Sequence, residues 1–537
     1  METPDPEIFG PLAAIAPESL VLLASNIAKR CLDLPPNTSG KLVGRTYGSF
    51  NIVHIIELGD VKLVIRVPAW GWGSRLTQTA VDAMESHVAT VRLIRSKTTI
   101  PVPEIYAIDT SANNEIGAPY LCMSFLPGKQ ASGLWFNYSG TLTLDEFRLN
   151  LLTSLARAMA QLSCFSFDQL GSIMKSGPDS VVIGPNYGWE DNEDGSMQAT
   201  ASGPYDSTSA LLRDNPIGGY GENEHIWTRA TNKTLEVLLD CLPIHDSPSS
   251  FVLCHPDLNY QNILVDDQGT VTGLIDWDRV QTQPRFMGYI IYPSWITRDW
   301  DPLWYAWPTL SDREDSPETL ERYRAHYTSE LGKALEWKGD WKYSSKAHLF
   351  EAIWIATFAD HCSADICEKF VHTVVGDDTD ASDIFFDIGG GYIEEEDWAA
   401  VKAKLRRFVC GDQIMQDDRH RIDNHYKRSA YWDNTGFDGN GSRLRGLKEN
   451  IMQTLISRHQ ISLSTATIFS SELLWQSEWI SMRSALLPSN MARPSGTGSQ
   501  TPTGSFTGPL PKSESVVINH EFAIHCMPSH KVRPALN

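Results

Sequence analysis

An α+β fold is expected, with a small antiparallel-sheet part followed by a mostly helical part. Two observations predict it. Between residues 42 and 126 apolar alternation and turn residues mark out strands around a single helix. From 144 to 409 apolar residues recur at helical spacing in five segments, interrupted by one short strand pair within 251–280.

Taken in order, PESLVLLASNIAKRC (17–31) reads as an amphipathic helix. LVGRTYGSFNIVHIIEL (42–58) is strand-like with a glycine-containing middle, and VKLVIRV (61–67) follows the Gly59-Asp60 turn. Val81, Met84, Val88 and Val91 place a helix over Thr79–Lys97, which Pro101 and Pro103 keep from continuing. EIYAID and PYLCMSFL add two strands, and this part ends near Pro127 and Gly128. Helices are expected over 144–164, 224–242, 316–336, 345–375 and 396–409. Residues 186–222, rich in Gly, Asn, Asp and Ser, read as a long loop. ILV and VTGLI flank Asp266-Asp267-Gln268-Gly269, a hairpin turn with Gly at a position suited to positive φ. DIGGGYIEEEDW (387–398) reads as a loop and an acidic helix start, and Trp295, Trp300, Trp304 and Trp307 as packing residues of the helical part. Residues 411–447 are polar and irregular, a helical stretch over 449–487 is expected, and the Ser/Thr/Gly/Pro-rich run at 495–515 should be disordered.

The chain of 537 residues exceeds one compact domain, and its 42% hydrophobic and 21% charged content fit a globular protein with a sizeable core. A net charge of -21 repels phosphate backbones, so nucleic acid is not an expected partner. The same charge would attract a cationic small molecule, although acidity also serves solubility alone. The nine cysteines include no C-x-x-C pair, which suggests reduced thiols; His361, Cys362 and Cys367 lack the second pair of a zinc site. METPDPEIFG lacks a basic start and apolar core, and no run of about 18 apolar residues occurs, so neither a signal peptide nor a membrane partner is expected. A cytoplasmic location is the expectation.

The chemistry concentrates in FVLCHPDLNYQNILVDDQGTVTGLIDWDRV (251–280). Asp257 opens a loop, Asn262 stands where the chain enters a strand, and Asp276 follows the returning strand. Pairing the strands brings Asn262 and Asp276 toward one end, and two oxygen ligands there suit Mg²⁺, which keeps waters and binds phosphates. Asp257 is left to accept a hydroxyl proton, which completes a minimal set for phosphoryl transfer. Two alternatives stand beside this. Asp257 and Asn262 could cap turns with Asp276 a strand-end residue, or His255 and Asp257 could ligate a hydrolytic metal.

HPDLNYQNILV with GLIDWD resembles the aminoglycoside phosphotransferase and choline-kinase-like family. GRTYGSFNIVHIIEL with VKLVIRVP, AMESHVATVRLIRSKTTIPVPEIYAID and GAPYLCMSFLPGKQ look like the family's nucleotide-covering hairpin, its helix and its adenine-side strand; ASGPYDSTSALL is similar to a segment of fungal-type members. The resemblance covers roughly residues 40 to 410. It implies a bilobal protein-kinase-like fold, with a small-sheet lobe at 40–127 and a helical lobe at 128–410. Outside it lie an N-terminal extension with a helix (1–39), a partly helical extension (411–487) and a disordered tail (488–537). It further implies an ATP- and Mg²⁺-dependent kinase acting on a hydroxyl of a small molecule. Asp257 looks like the base, His255 its loop support, and Asn262 and Asp276 the metal ligands. Gly44 and Gly48 look like the glycines of the loop over the phosphates. Arg66 stands where the family carries Lys, and its guanidinium can grip phosphate oxygens bidentately. Glu85 looks like its helix partner, with Asp82 the rival; Asp278 either orients substrate or joins an ion pair. ATP would lie near Arg66 and a hinge around Met123 to Leu126. The alternative function is a kinase-like binding protein that has lost turnover.

Overall fold

The computed structural model describes residues 5–411 apart from 33, 36–37, 178–179, 192–196, 214–223, 304 and 377–380. The expectations for 411–447, 449–487 and 488–537 fall, beyond residue 411, outside the described residues.

The first part is a lobe built on a five-stranded antiparallel sheet of order β1-β2-β3-β5-β4, formed by β1 (Gly40–Tyr47), β2 (Asn51–Leu58), β3 (Val61–Pro68), β4 (Ile105–Asp109) and β5 (Tyr120–Ser124). Alternation along β2 buries Ile52, His54, Ile56 and Leu58 on one face. That face is covered by two helices, α1 (Pro6–Phe9) and α2 (Pro17–Cys31), whose Leu20, Leu23 and Ile27 share one core with Leu63, Ile65 and Val67. The N-terminal helix read from the sequence is therefore packed into this lobe. Helix α3 (Gln78–Lys97) follows β3, capped by Thr77, whose side chain accepts from the Ala80 N–H at 3.2 Å.

Gly128 carries the chain out of the lobe at φ 128°, where a side chain would clash with Thr272. The next residues, β6 (Lys129–Gln130), join the edge of β12 (Ile263–Val265), which pairs with β13 (Val271–Leu274), so the crossing segment is the third strand of the 251–280 hairpin sheet. Gly269 in the hairpin turn has φ 79°, as its turn position requires.

The second lobe is mostly helical. Helix α4 (Leu144–Ala160) starts at a capping box between Thr143 and Glu146, a feature worth about 1 kcal/mol, and packs on a later helix, Pro317–Ala334. Between α4 and the hairpin sheet, the expected loop at 186–222 instead holds a strand pair and a short helix among its described residues. Strands β7 (Ser172–Lys175) and β8 (Val181–Gly184) pair, β9 (Asn186–Asp191) pairs antiparallel with β10 (Met197–Ser202), and α5 (Thr208–Arg213) follows. The polar composition concealed the second hairpin because its anchor is a tertiary contact: Trp189 stacks on Trp70, ring centroids 6.3 Å apart, with Ala80 and Ala199 in the same cluster. Helix α6 (Ile226–Leu239) then leads to β11 (Phe251–Leu253), which pairs with β14 (Thr282–Pro284).

The remaining helices are α7 (Pro317–Ala334), the single turn α8 (Trp341–Ser344), α9 (Ala347–Phe358), α10 (Asp360–Val375) and α11 (Ala381–Gly390), with a further helix over 395–411. The continuous helix expected over 345–375 is broken at Ala359 (φ -119°, ψ 88°), a break that no Gly or Pro announces. The 387–398 stretch closes α11 and starts the last helix, so only its middle is loop. Of the four tryptophans read as packing residues, Trp295 and Trp300 are buried, Trp307 is half-buried, and Trp304 lies outside the described residues. Eight described cysteines are free thiols; Cys526 lies outside the described residues. No single helix among the described residues is long and apolar enough to cross a membrane.

Candidate active site

The hairpin segment builds one wall of a cleft through its own hydrogen bonds. His255 Nδ1 accepts from the Asp257 N–H at 3.1 Å, and its Nε2 lies 2.9 Å from the Ile275 carbonyl. Those partners assign a neutral ring protonated on Nε2. The ring also meets Trp277 edge-on, centroids 4.4 Å apart. Asn259 caps the short turn at 260–262, and the Asn262 amide donates to Asp257 Oδ2 at 2.8 Å and to the Asp257 carbonyl at 3.1 Å. The Ile275 N–H donates to the Asn262 carbonyl at 3.0 Å, which seats Asp276 beside the loop. Asp276 has φ 64°, a left-handed conformation uncommon outside Gly, so the chain turns sharply where β13 ends.

The sheet lobe supplies the opposite wall. Arg66, on the cleft face of β3, places Nη2 2.8 Å from Asp276 Oδ1 and 2.6 Å from Asp278 Oδ2. His87 of α3 brings Nδ1 within 2.6 Å of Asp278 Oδ1. With its amide oxygen turned toward Arg66, Asn51 accepts from Nη2 at 2.9 Å. Burial works against the charge on Arg66, but Asp278 and Asp276 outweigh it and hold the guanidinium above its ordinary pKa. Burial likewise opposes ionisation of Asp278, yet Arg66, His87 and Arg279 keep its carboxyl well below the usual range. Of the two roles open to Asp278, the structure shows the ion pair.

The cleft between these walls measures about 580 Å³. Val53, Val64, Met123 and Leu264 form an apolar strip, while Arg66, Asp257, Asn262 and Asp276 share the same lining. Two expectations need correction. Gly44 is not in the loop over the cleft: it lies within β1, opposite Ile55 at a bulge, because that strand continues to Tyr47. The turn is Gly48-Ser49-Phe50, and Gly48 lines the cleft. Glu85 does not pair with Arg66 but is exposed on another face of α3, and Asp82 accepts from Gln78 at 2.8 Å instead. At 100° per residue, positions 85 and 87 lie on different faces of the helix. His87 was missed, although it continues the stripe of Ala80, Met84 and Val91, a spacing present in the sequence.

The model of the Phosphotransferase enzyme family matches residues 74–337. Clavilactone A biosynthesis cluster protein Y of Ampulloclitocybe clavipes is 28% identical over 229 residues, covering 40% of this chain and 54% of that one. A subtelomeric hrmA-associated cluster protein of Aspergillus fumigatus is 26% identical over 315 residues, covering 47% and 60%. The chain thus spans little more than half the length of the curated relatives it matches. Among solved structures, aminoglycoside phosphotransferase APH(4)-Ia aligns over 73% of this chain and 98% of its own, at 13% identity and a TM-score of 0.34. The matched segment, just under half of the chain, runs from the start of α3 through the cleft wall of Asp257, Asn262 and Asp276 to the end of α7, and over it the chain is similar to the Phosphotransferase enzyme family.

Proposed function

We propose that the protein is an ATP-dependent kinase that transfers the γ-phosphoryl group to a hydroxyl of a small molecule. The observation that carries this reading is the convergence of Asp257, Asn262, Asp276 and Arg66 at one cleft whose remaining wall is an apolar strip suited to a nucleotide base. Asp257 accepts the proton of the acceptor hydroxyl, and His255 holds its loop by bonding the Asp257 N–H and the Ile275 carbonyl. Asn262 fixes the Asp257 carboxylate through Oδ2. Arg66 supplies fixed positive charge beside Asp276.

The donor set fits magnesium. Among the described residues no three of His, Cys, Asp and Glu converge on a point, so a cage made by the protein alone is not on offer. A cation that keeps its waters and binds phosphates needs only one or two protein oxygens, and Asn262 and Asp276 provide them. When bound there, the ion neutralises phosphate charge. Among the described residues, the carboxylates lining the cleft are Asp257, Asp276 and Asp278. The name of one relative places it in a biosynthesis cluster, which is in keeping with a small-molecule acceptor.

Calorimetry with ATP, with and without magnesium, tests the reading. Magnesium-dependent binding in the range of micromolar to millimolar substrates is expected. The absence of nucleotide binding under both conditions would refute it. A metabolite-extract screen for new phosphorylated species, run against the Asp257→Ala protein, then identifies the acceptor.

A further inference from the structure

The cleft is lined by two arginines, and they are deployed differently. Arg66 is committed, with one nitrogen 2.8 Å from Asp276 and 2.6 Å from Asp278. Arg279 forms no salt bridge among the described residues. Its guanidinium lies over the Phe50 ring, 5.0 Å from the centroid, and its Nη1 is buried with no hydrogen-bond partner. A buried guanidinium N–H left unpaired is rare in folded proteins and calls for an explanation. The backbone makes it a placed group: Arg279 has φ 62°, three residues after Asp276 at φ 64°, so two left-handed residues return the chain to the cleft. Phe50 belongs to the turn between β1 and β2, the element that covers the cleft.

We propose that Arg279 is the cation that grips the transferring phosphoryl group, an arginine finger supplied by the same chain and shelved on Phe50. This rests on the reading of the cleft as a site for ATP phosphates. In the transfer, the bond from the γ-phosphorus to the bridging oxygen breaks and that oxygen leaves with the electron pair as part of ADP. A new bond forms from the acceptor oxygen to phosphorus, and the acceptor proton passes to Asp257. Charge is spread over the equatorial oxygens and the bridging oxygen during the step, and a planar donor fork matches it better than an ammonium. Because the guanidinium rests on Phe50, closing the β1–β2 turn and seating the arginine become one motion.

The test uses the full chain, with MgADP alone and MgADP plus aluminium fluoride, a planar phosphoryl mimic, read by calorimetry. In the wild type, aluminium fluoride should tighten nucleotide binding. Arg279→Met should keep MgADP affinity within about threefold while losing about 10³-fold of that tightening, the low end of the rate effects of arginine fingers. Arg279→Lys should fall between, and added guanidinium should restore part of the loss in Arg279→Met. Phe50→Leu, which keeps Arg279 and removes its shelf, should lose about tenfold by the same measure. Retention of full tightening in Arg279→Met overturns the proposal. So does an equal loss of MgADP affinity, which would make the residue a ground-state or structural one. A wild type that binds no MgADP overturns the nucleotide reading itself, and this assignment with it.

Discussion

The two walls of the cleft are held together by different means. The hairpin wall is local: His255 to Ile275, Asn262 to Asp257, and Ile275 to Asn262 are all bonds within residues 251–280. The opposite wall is assembled from parts far apart in the chain: the turn at 48–50, Arg66 and His87 of the sheet lobe, and Trp189 of the β9–β10 hairpin, which stacks on Trp70. Arg66 and His87 reach the other wall through the Asp276 and Asp278 carboxylates. The difference separates labour. A largely self-contained network fixes Asp257 and Asn262, while Asp276 is shared with the opposing wall through Arg66.

The sharpest way to break that comparison is Asp257→Ala. If the hairpin wall holds the proton acceptor and the nucleotide is held elsewhere, transfer should fall by about 10²–10⁴ with ATP affinity little changed. Turnover on the acceptor found by the extract screen and calorimetry with ATP read the two quantities. Near-wild-type turnover, or a matching loss of ATP affinity, would contradict the division.

Trp189→Ala probes the opposite wall. The ring is 6% exposed and stacked on Trp70, and truncating such a side chain costs about 3–5 kcal/mol. The loss should stay with the β9–β10 hairpin. Hydrogen exchange should accelerate at 186–202 while 251–280 keeps its protection. Equal acceleration in both would show that the walls unfold as one unit.

The same contrast explains what the sequence disclosed. Asp257, Asn262 and Asp276 were legible because their placement depends on spacing within one hairpin, and spacing is what a sequence displays. Arg66 was legible as a cation on the cleft face of a strand, but its partners were not, because Asp278 lies across the cleft and competes with every acid on α3. Glu85 lost to His87 on helix phase. The β9–β10 hairpin was unreadable because NYGWED and MQATAS have little strand character of their own and take their order from Trp70.

A further test uses pH on the sheet lobe. Alternation of β2 puts His54 wholly inside the core beneath α2, where Arg45 Nε lies 3.3 Å from its Nδ1. Burial, then the Arg45 charge, lower its pKa to about 4. The unfolded chain takes up the proton near the ordinary histidine value of about 6.5, whereas the folded protein resists it. Stability from this group is therefore complete above about 6.5 and declines as pH falls through the folded value, by about 3 kcal/mol in all. Urea melts of wild type and His54→Met at about pH 7.5 and about pH 4.5 should show a smaller acid loss in the variant. Equal losses would mean that the histidine is accessible to water or charged in the fold.

The smallest effect is expected where the walls meet, at Asp278→Asn. The shape is kept and Arg66 retains Asp276, so only one charge is lost from a shared cluster. The Asp278 side chain is 31% exposed, and solvent screening discounts its contribution. A cost of about 1–2 kcal/mol follows, in line with hydrogen bonds to charged groups. The sign with pH is opposite in origin to a raised carboxyl. Because Arg66, His87 and Arg279 hold this carboxyl below the usual range against the effect of burial, its stabilisation is present above the unfolded value of about 3.9 and is lost as pH falls below it. That window lies beneath the one set by His54, so the two groups can be told apart in one titration. Wild type should keep losing stability below about pH 4, and Asp278→Asn should lose less there while matching wild type between about 4 and 6.5. If Asp278→Asn also raises exchange within 251–280, the link between the lobes is part of what orders the hairpin wall, and that wall is not self-contained.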